Sequence, residues 1–387
     1  MNILYVIPSL SMTTGGPAKV AFEYCRELAR QGHSVTIFTT EYGLGRDSKT
    51  PTNSAIRLEG IIIYYFSLRW PKGYYYSPEL AVKLKTELKN FDIVHIHSVW
   101  LYPTAIAGYY CRKYNIPYIV KPGGALTLHC RSRKSFKKKI YNMLIEKNNL
   151  KNAVGIHYVN KLEENESNPV CVSNYSIVVP NGVEPEDFVV YSQNGDIRKK
   201  YPELIDKKVI TFLGRIHPIK GIDRLCYAFA QVLEQSKDVH LLIVGPDEGG
   251  YKSVIMEILT TLKITDNVTF TGMITGHEKM NVLRSSDIFC LPSYHEAHSM
   301  SITEALMCGL PVIISRASKF AEVEKVNAGI VFDSKPNEIA SAILKLLGNN
   351  KLCKEMGENG KRLIYEKYTW DKVVKQMIIE YRRVLSR

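Results

Sequence analysis

Two doubly wound α/β domains are the architecture this sequence predicts, on three observations. Short apolar runs alternate with longer segments of helical period, the pattern of parallel strands linked by crossover helices. That rhythm is broken by a polar stretch from Lys161 to Asn174 and by the turn Pro180-Asn181-Gly182, after which it restarts. The 387 residues suffice for two cores at about 100 to 200 residues per domain. A hydrophobic share of 45% with 23% charged residues is a globular balance, which excludes wholesale disorder and collagen-like or coiled-coil designs.

In chain order, strands are expected at residues 1–7, 34–40, 91–97, 117–121 and 155–159, interleaved with helices at 17–31, 78–90, 102–114 and 134–150. The first helix opens on Pro17, whose fixed φ suits the first helical position. The second half offers strands at 209–213, 239–244, 268–271, 288–291 and 311–314, each followed by a loop and a helical segment. In doubly wound sheets ligands sit beyond the carboxyl ends of the strands, so the loops that follow strands carry the functional reading.

Several chemistries lose ground at once. The eight cysteines scatter without a CxxC pair, which argues against a zinc site or a disulfide framework and for a reducing compartment. No apolar run approaches 18 residues, and the start lacks the basic flank and cleavage site of a signal peptide, so a cytoplasmic location is expected. Neither G-x-G-x-x-G nor G-x-x-x-x-G-K-[ST] occurs, which counts against nicotinamide and P-loop readings.

Three loops stand out. Gly15 and Gly16 precede the first helix, where paired glycines either let backbone N–H groups approach a phosphate or sugar, or simply make a tight strand-to-helix turn. In the second half, Gly214-Arg215-Ile216-His217-Pro218-Ile219-Lys220-Gly221 sets an Arg and a Lys five apart in one loop, as a clamp on a diphosphate or as solvated cations. The stretch from Leu291 to Pro311 ends a strand, carries Glu296 on a loop, and starts a helix near Ser301 that Gly309 stops. Glu296 is expected to project from its loop, while N–H groups around His298 to Thr303 point at an anion. Glu304 has two readings, a ligand contact or the last member of a capping box, Ser301-Ile302-Thr303-Glu304. His95 and His97 share one strand face by alternation; His97, at the strand's end, faces the cleft or is a hydrogen-bonded structural histidine.

Taken in order, the early G-G-x-x-x-V, the turn P-N-G-V, G-R-x-x-x-x-K-G, a strand ending G-P-D-E-G-G, and two glutamates eight apart before E-A-L-x-C-G-x-P-V-I form a pattern. It resembles the retaining nucleotide-sugar glycosyltransferases of the GT-B type, family 4, over nearly the whole chain. The resemblance implies two Rossmann-like domains facing a central cleft: residues 1–178 on the acceptor side, 179–365 binding the nucleotide sugar, and a helix in 366–387 returning to the first domain. It also implies roles. Arg215 and Lys220 hold the donor diphosphate, Glu296 contacts the transferred sugar, and Glu304 bonds the ribose hydroxyls. Gly214, the amides of His298, Ser299 and Met300, and Gly15 with Gly16 from the opposite domain complete the donor site, with His97 on the acceptor side. No D-x-D occurs, so neither metal nor cofactor is expected. Two features depart from the family pattern. Many relatives have E-[NG]-F-G where this chain has Glu296-Ala297-His298-Ser299, and many place a histidine where this chain has Lys121-Pro122-Gly123-Gly124, with His129 farther on.

Lys and Arg total 51 against 38 Asp and Glu, a formal +13 that calls for an acidic partner. Over half of it lies between Arg131 and Lys151, where eight cations accompany the single acid Glu146. Phe136, Ile140, Met143, Leu144 and Ile145 fall near helical spacing, so this segment reads as an amphipathic helix docking on anionic lipid, or as an apolar face packed on the sheet with solvated cations. Trp70 and Tyr74-Tyr75-Tyr76 form an interfacial, acceptor-binding or merely packed aromatic patch. Nucleic acid is disfavoured, because no recognition motif accompanies the basic segment. The expected protein is a peripheral enzyme on the inner face of the plasma membrane. It transfers sugar from a UDP- or GDP-linked donor to a saccharide acceptor, lipid-linked, in bacterial exopolysaccharide, O-antigen or capsule synthesis. The rival readings are a non-catalytic sugar-binding partner of the same fold and a sugar-nucleotide epimerase.

Overall fold

The structure is a computed structural model that describes residues 1–11, 16–45, 48–127, 130, 141–167, 175–189, 197–333 and 335–387. The chain divides into two compact units, Met1–Gly182 with Trp370–Arg387, and Val183–Thr369.

The first unit is built on an eight-stranded sheet: β1 (Asn2–Ser9), β2 (Ser34–Thr40), β3 (Ala55–Leu58), β4 (Ile61–Phe66), β5 (Ile93–His97), β6 (Tyr118–Lys121), β7 (Gly155–Tyr158) and β8 (Ser176–Val178). Their spatial order is β3-β4-β2-β1-β5-β6-β7-β8, parallel throughout except for the β3–β4 hairpin. Strands β1 and β5 are buried on both faces because helices cover both, among them α1 (Gly16–Arg30), α2 (Pro78–Glu87) and α3 (Tyr102–Tyr114). The order reverses between β1 and β5, which places the crevice of this sheet at their carboxyl ends. The hairpin had no counterpart among the expected strands. Its turn is Glu59-Gly60 with φ of 48° and 81°, the doubly left-handed geometry of a two-residue type I′ turn.

The polar and basic end of this unit differs from expectation. Residues 131–140, with Lys134, Lys137, Lys138, Lys139 and Phe136, lie outside the described residues, as do Gly15 and His129. From Asn142 the chain makes a π-helical turn, Asn142–Glu146, that runs into α4 (Lys147–Lys151). Met143 and Leu144 are 71% and 67% exposed, whereas Glu146 and Asn149 are buried. Ile145 is half-buried and Leu150 buried, so Met143 and Leu144 are the apolar side chains left facing water here. The cause is polar satisfaction: Glu146 Oε2 accepts the Trp100 backbone N–H at 2.9 Å, and Trp100 Nε1 donates to Asn142 Oδ1 at 2.6 Å. Burial pushes the Glu146 carboxyl up from its ordinary value. The tyrosine run is packed in part, with Tyr74 OH 2.8 Å from Tyr141 OH and Tyr76 edge-on to Tyr102, while Trp70 stays exposed.

The second unit carries a six-stranded, wholly parallel sheet: β9 (Lys208–Leu213), β10 (Val239–Val244), β11 (Val268–Gly272), β12 (Ile288–Leu291), β13 (Val312–Ser315) and β14 (Gly329–Phe332), in the order β11-β10-β9-β12-β13-β14. Its helices include α5 (Ile222–Gln235), α6 (Tyr251–Leu262), α7 (Gly276–Arg284), α8 (Met300–Met307), α9 (Pro336–Leu347) and α10 (Asn350–Lys367). The order reverses between β9 and β12, the two strands whose following loops carry the Arg-Lys and the Glu motifs.

The unit boundaries fall four residues later than the 178/179 and 365/366 positions read from sequence. Val179 continues the β7 pairing through its N–H to Tyr158 O at 2.9 Å, and Asn181 Oδ1 accepts from Lys121 Nζ at 2.8 Å, so both belong to the first unit. Val183 instead donates to Tyr368 O within the second. The C-terminal helix, Trp370–Leu385, is part of the first unit and buries Trp370, Val373, Val374, Met377, Ile378, Tyr381 and Val384.

Candidate active site

The site in the second unit grows from two loops that leave neighbouring strands at the switch point. After β9 the chain runs through Gly214 and Arg215 into a single 3-10 turn, Pro218–Lys220, opened by His217, whose Nδ1 accepts the Ile219 N–H at 3.1 Å. After β12 the second loop passes Pro292, Ser293 and Tyr294 to Glu296. The loops are stitched together by the Tyr294 N–H to Ile219 O at 2.8 Å. Close approach fixes the glycine: Gly221 has φ +69°, and a Cβ there would lie 2.0 Å from Pro292 O. Gly245, at φ +143°, meets Gly214 O in the same way, at 1.9 Å from a built Cβ.

This stitching brings Lys220 and Glu296 together. Lys220 Nζ lies 2.6 Å from Glu296 Oε1, with the two side chains 14% and 10% exposed. Ser293 Oγ donates to the same oxygen at 2.7 Å, and the Glu296 N–H is held by Ala317 O at 3.1 Å. The result is a cation and a carboxylate fixed in orientation beside the switch point, with little of either reaching water. Arg215 stands apart from them; it is 52% exposed and pairs with Glu248 of the Gly-Pro-Asp-Glu-Gly-Gly loop.

Helix α8 begins with Met300, and its N-cap, Ser299, makes no side-chain capping bond. The capping box, one of the two readings of Ser301 to Glu304, is not formed, because the helix starts earlier and the Glu304 carboxylate turns to Lys279 of α7, with Nζ 2.5 Å from Oε1. The family departure at Ser299 is accommodated locally. Its φ is −97° and ψ 111°, extended backbone that needs no glycine, and its hydroxyl lies 2.9 Å from Ser301 Oγ. His298 is packed rather than aimed outward, its ring centroid 5.9 Å from Phe320 and 6.3 Å from Tyr368. Met300 packs against the core. Lys279 and Ser293 were not singled out in the sequence; a lone lysine in a helix and a serine three residues before a glutamate carry no signal by themselves.

In the first unit, Gly16 opens α1, while Gly15 lies outside the described residues. His97 is 6% exposed, and its buried Nε2 has no hydrogen-bond partner among the described residues. Its register neighbour on β6 is Lys121, a buried lysine that desolvation holds down at about 8 against the opposing pull of Glu163. His95, by contrast, is fully engaged, its Nδ1 2.6 Å from Tyr381 OH and its Nε2 3.2 Å from His157 Nδ1. Sequence alternation put His95 and His97 on one face but gave no sign of Lys121, His157 or Tyr381 beside them. No helix among the described residues is long and apolar enough to cross a membrane.

A model of Glycosyltransferase Family 4 matches residues 14–187, and one of Glycosyl transferases group 1 matches residues 193–363. The N-acetyl-alpha-D-glucosaminyl L-malate synthase of Bacillus anthracis is 24% identical over 96% of this chain and 95% of its own. Among solved structures, the sucrose-phosphate synthase of Thermosynechococcus elongatus superposes with a TM-score of 0.81 at 19% identity, covering 100% of both chains. The Anabaena protein HepE in complex with UDP-glucose gives 0.78 at 16% identity, over 99% of this chain and 100% of that one. Likeness at such identities is one of fold, and with two parallel-sheet units and matches that run through both, the chain belongs to the GT-B glycosyltransferases of family 4.

Proposed function

We propose that this glycosyltransferase is a retaining enzyme that moves a sugar from a UDP- or GDP-linked donor to a saccharide acceptor, lipid-linked, in bacterial exopolysaccharide, O-antigen or capsule synthesis. The observation that carries the reading is the Lys220–Glu296 pair held by Ser293 at the switch point of the second sheet. In the transfer, the bond between the anomeric carbon and the diphosphate oxygen breaks. The acceptor hydroxyl oxygen bonds the same face of that carbon, and its proton passes to the departing phosphate. Negative charge grows on the diphosphate as it leaves, and cations already in place lower that barrier more than a nearby base would. Lys220 is such a cation, and Arg215, exposed on the same loop, exchanges Glu248 for phosphate as the second. With two cations on the diphosphate, no divalent ion is required. Glu296 contacts the transferred sugar and Glu304 the ribose. The HepE complex with UDP-glucose supports a nucleotide-sugar donor by likeness of fold. The inner face of the plasma membrane is the working location, with the cationic segment 131–151 on anionic lipid.

Purified protein incubated with a panel of UDP- and GDP-sugars and polyprenyl-diphosphate saccharides tests the reading. One donor is expected to release nucleoside diphosphate only when acceptor is present, to give a product of unchanged anomeric configuration by NMR, and to do so undiminished in EDTA. An inverted product overturns retention, and loss in EDTA overturns metal independence. Donor converted without acceptor indicates an epimerase; no release with any pair indicates a non-catalytic partner.

A further inference from the structure

Each of the two motif glutamates is tied to a lysine from another element, and one of those lysines has no assigned work. Lys279 lies on helix α7, outside every motif, yet its side chain is only 16% exposed and reaches the 7%-exposed Glu304. Lys279 Nζ takes Glu304 Oε1 alone, and no other described residue donates to that carboxylate. Nearly buried carboxylates with one oxygen engaged are oriented as well as neutralised, since the bonded oxygen fixes the plane and direction of the free one.

We infer that Lys279 is a positioning residue for the donor's nucleoside: by holding Oε1 it presents Glu304 Oε2 to a single ribose hydroxyl and so sets the enzyme's preference for ribonucleotides over deoxyribonucleotides. The inference rests on the proposed ribose contact of Glu304. A site arranged to bond a substrate hydroxyl discriminates strongly against the analogue that lacks it, because the site's own polar group is then left unpaired. A carboxylate free to rotate loses that discrimination, since it can turn to the remaining hydroxyl or to water. Lys279 thereby acts on selectivity through Glu304 without touching the ligand.

The test is a chemical double-mutant cycle on the full chain. Calorimetry measures UDP and GDP binding, each against its 2′-deoxy and 3′-deoxy counterparts, for wild type, Lys279→Met and Glu304→Ala. In the wild type, loss of the contacted hydroxyl is expected to weaken binding on the order of 10- to 100-fold. In Lys279→Met that ratio should fall to within about threefold of unity, while Lys279→Arg, which keeps a donor for Oε1, should restore most of it. An unchanged ribo-to-deoxy ratio in a folded Lys279→Met protein overturns the inference, because a merely structural lysine would weaken all nucleotides alike. If Lys279→Met does not fold, Lys279→Ala, which likewise removes the donor, carries the same measurement. Glu304→Ala separates the two layers: if it too leaves the ratio unchanged, the ribose reading of Glu304 is what fails. If it collapses the ratio while Lys279→Met does not, only the role of Lys279 fails. Wild-type protein that binds neither diphosphate overturns both.

Discussion

Lys220 and Glu296 neutralise one another across 2.6 Å before any ligand arrives, and that preorganisation is what the motif spacing encodes. A lysine at the end of a 3-10 turn keeps its stem packed and its ammonium fixed, so little reorganisation remains when charge builds on a leaving diphosphate. Lys220→Ala is therefore expected to lower kcat by about 10²- to 10³-fold, the scale of losing one preorganised charge partner, and to lower the thermal midpoint as well, because the nearly buried Glu296 carboxylate loses its cation. Steady-state kinetics alongside a melting curve decide it; wild-type kcat in a folded variant removes Lys220 from the proposed site. At this scale the sequence was informative where motif residues meet through backbone constraint. Gly221 had to be glycine for the β9 and β12 loops to touch, and both loops were legible. Lys279 was not, because its partner Glu304 is 25 residues away and only tertiary packing joins them. His298 and Ser299 looked like an obstacle in the sequence, yet the backbone at Ser299 is extended and the histidine ring is stacked away.

Elements were readable in proportion to how uniformly they are buried. Strands β2, β10 and β12 have the ends read from sequence, since each is a run of β-branched and apolar residues in a parallel sheet, buried almost throughout. The hairpin β3–β4 was missed because β3 is a mostly exposed edge strand with little apolar signal, although Glu59-Gly60 marked the turn. The segment after Tyr141 was less legible, its apolar spacing allowing either a face on anionic lipid or one packed on the sheet. The π-helical turn leaves Met143 and Leu144 exposed while Glu146 satisfies the Trp100 backbone. Two exposed apolar side chains in a strongly cationic stretch suit an anionic bilayer, where cations draw the protein in and apolar groups insert. Replacing both Met143 and Leu144 by Asp is expected to weaken binding to phosphatidylglycerol-containing vesicles by roughly tenfold or more, leaving turnover of a water-soluble acceptor unchanged. Co-sedimentation measures it, and equal binding by the double variant removes this patch from any membrane contact.

Across the molecule, the first unit stores an unusual amount of neutral imidazole, and that has a consequence for stability. His157 Nε2 faces the Val179 carbonyl at 2.8 Å and must carry the proton; its Nδ1 then accepts from His95 Nε2, and His95 Nδ1 accepts from Tyr381 OH, whose oxygen accepts from Tyr5 OH at 2.9 Å. The chain has one direction and no place for an added proton. It ties the C-terminal helix to β1, β5 and β7. Tyr24 and Cys25 of α1, His97 of β5 and Lys121 of β6 surround it, and none is a carboxylate that would welcome imidazolium. Burial first, and then the neighbouring Lys121 and other histidines, hold His95, His97 and His157 well below the ordinary histidine value. A folded-state value below the unfolded one, about 6.5, means the unfolded chain binds protons that the folded chain refuses. The stability contributed is thus fully present above about pH 6.5 and is lost as pH falls towards the folded values, by up to roughly 1.4 kcal/mol per pH unit for each histidine. Lys121, at about 8, is charged in both states throughout this window and adds no slope, while Glu146, raised by burial, works in the opposite direction. His97 isolates the effect because its Nε2 has no partner to lose among the described residues. Urea unfolding of wild type and His97→Gln between pH 7 and 5 is expected to show both losing stability, the variant with a slope shallower by up to roughly 1.4 kcal/mol per pH unit; parallel slopes would mean that His97 is protonated as readily in the folded chain as in the unfolded one.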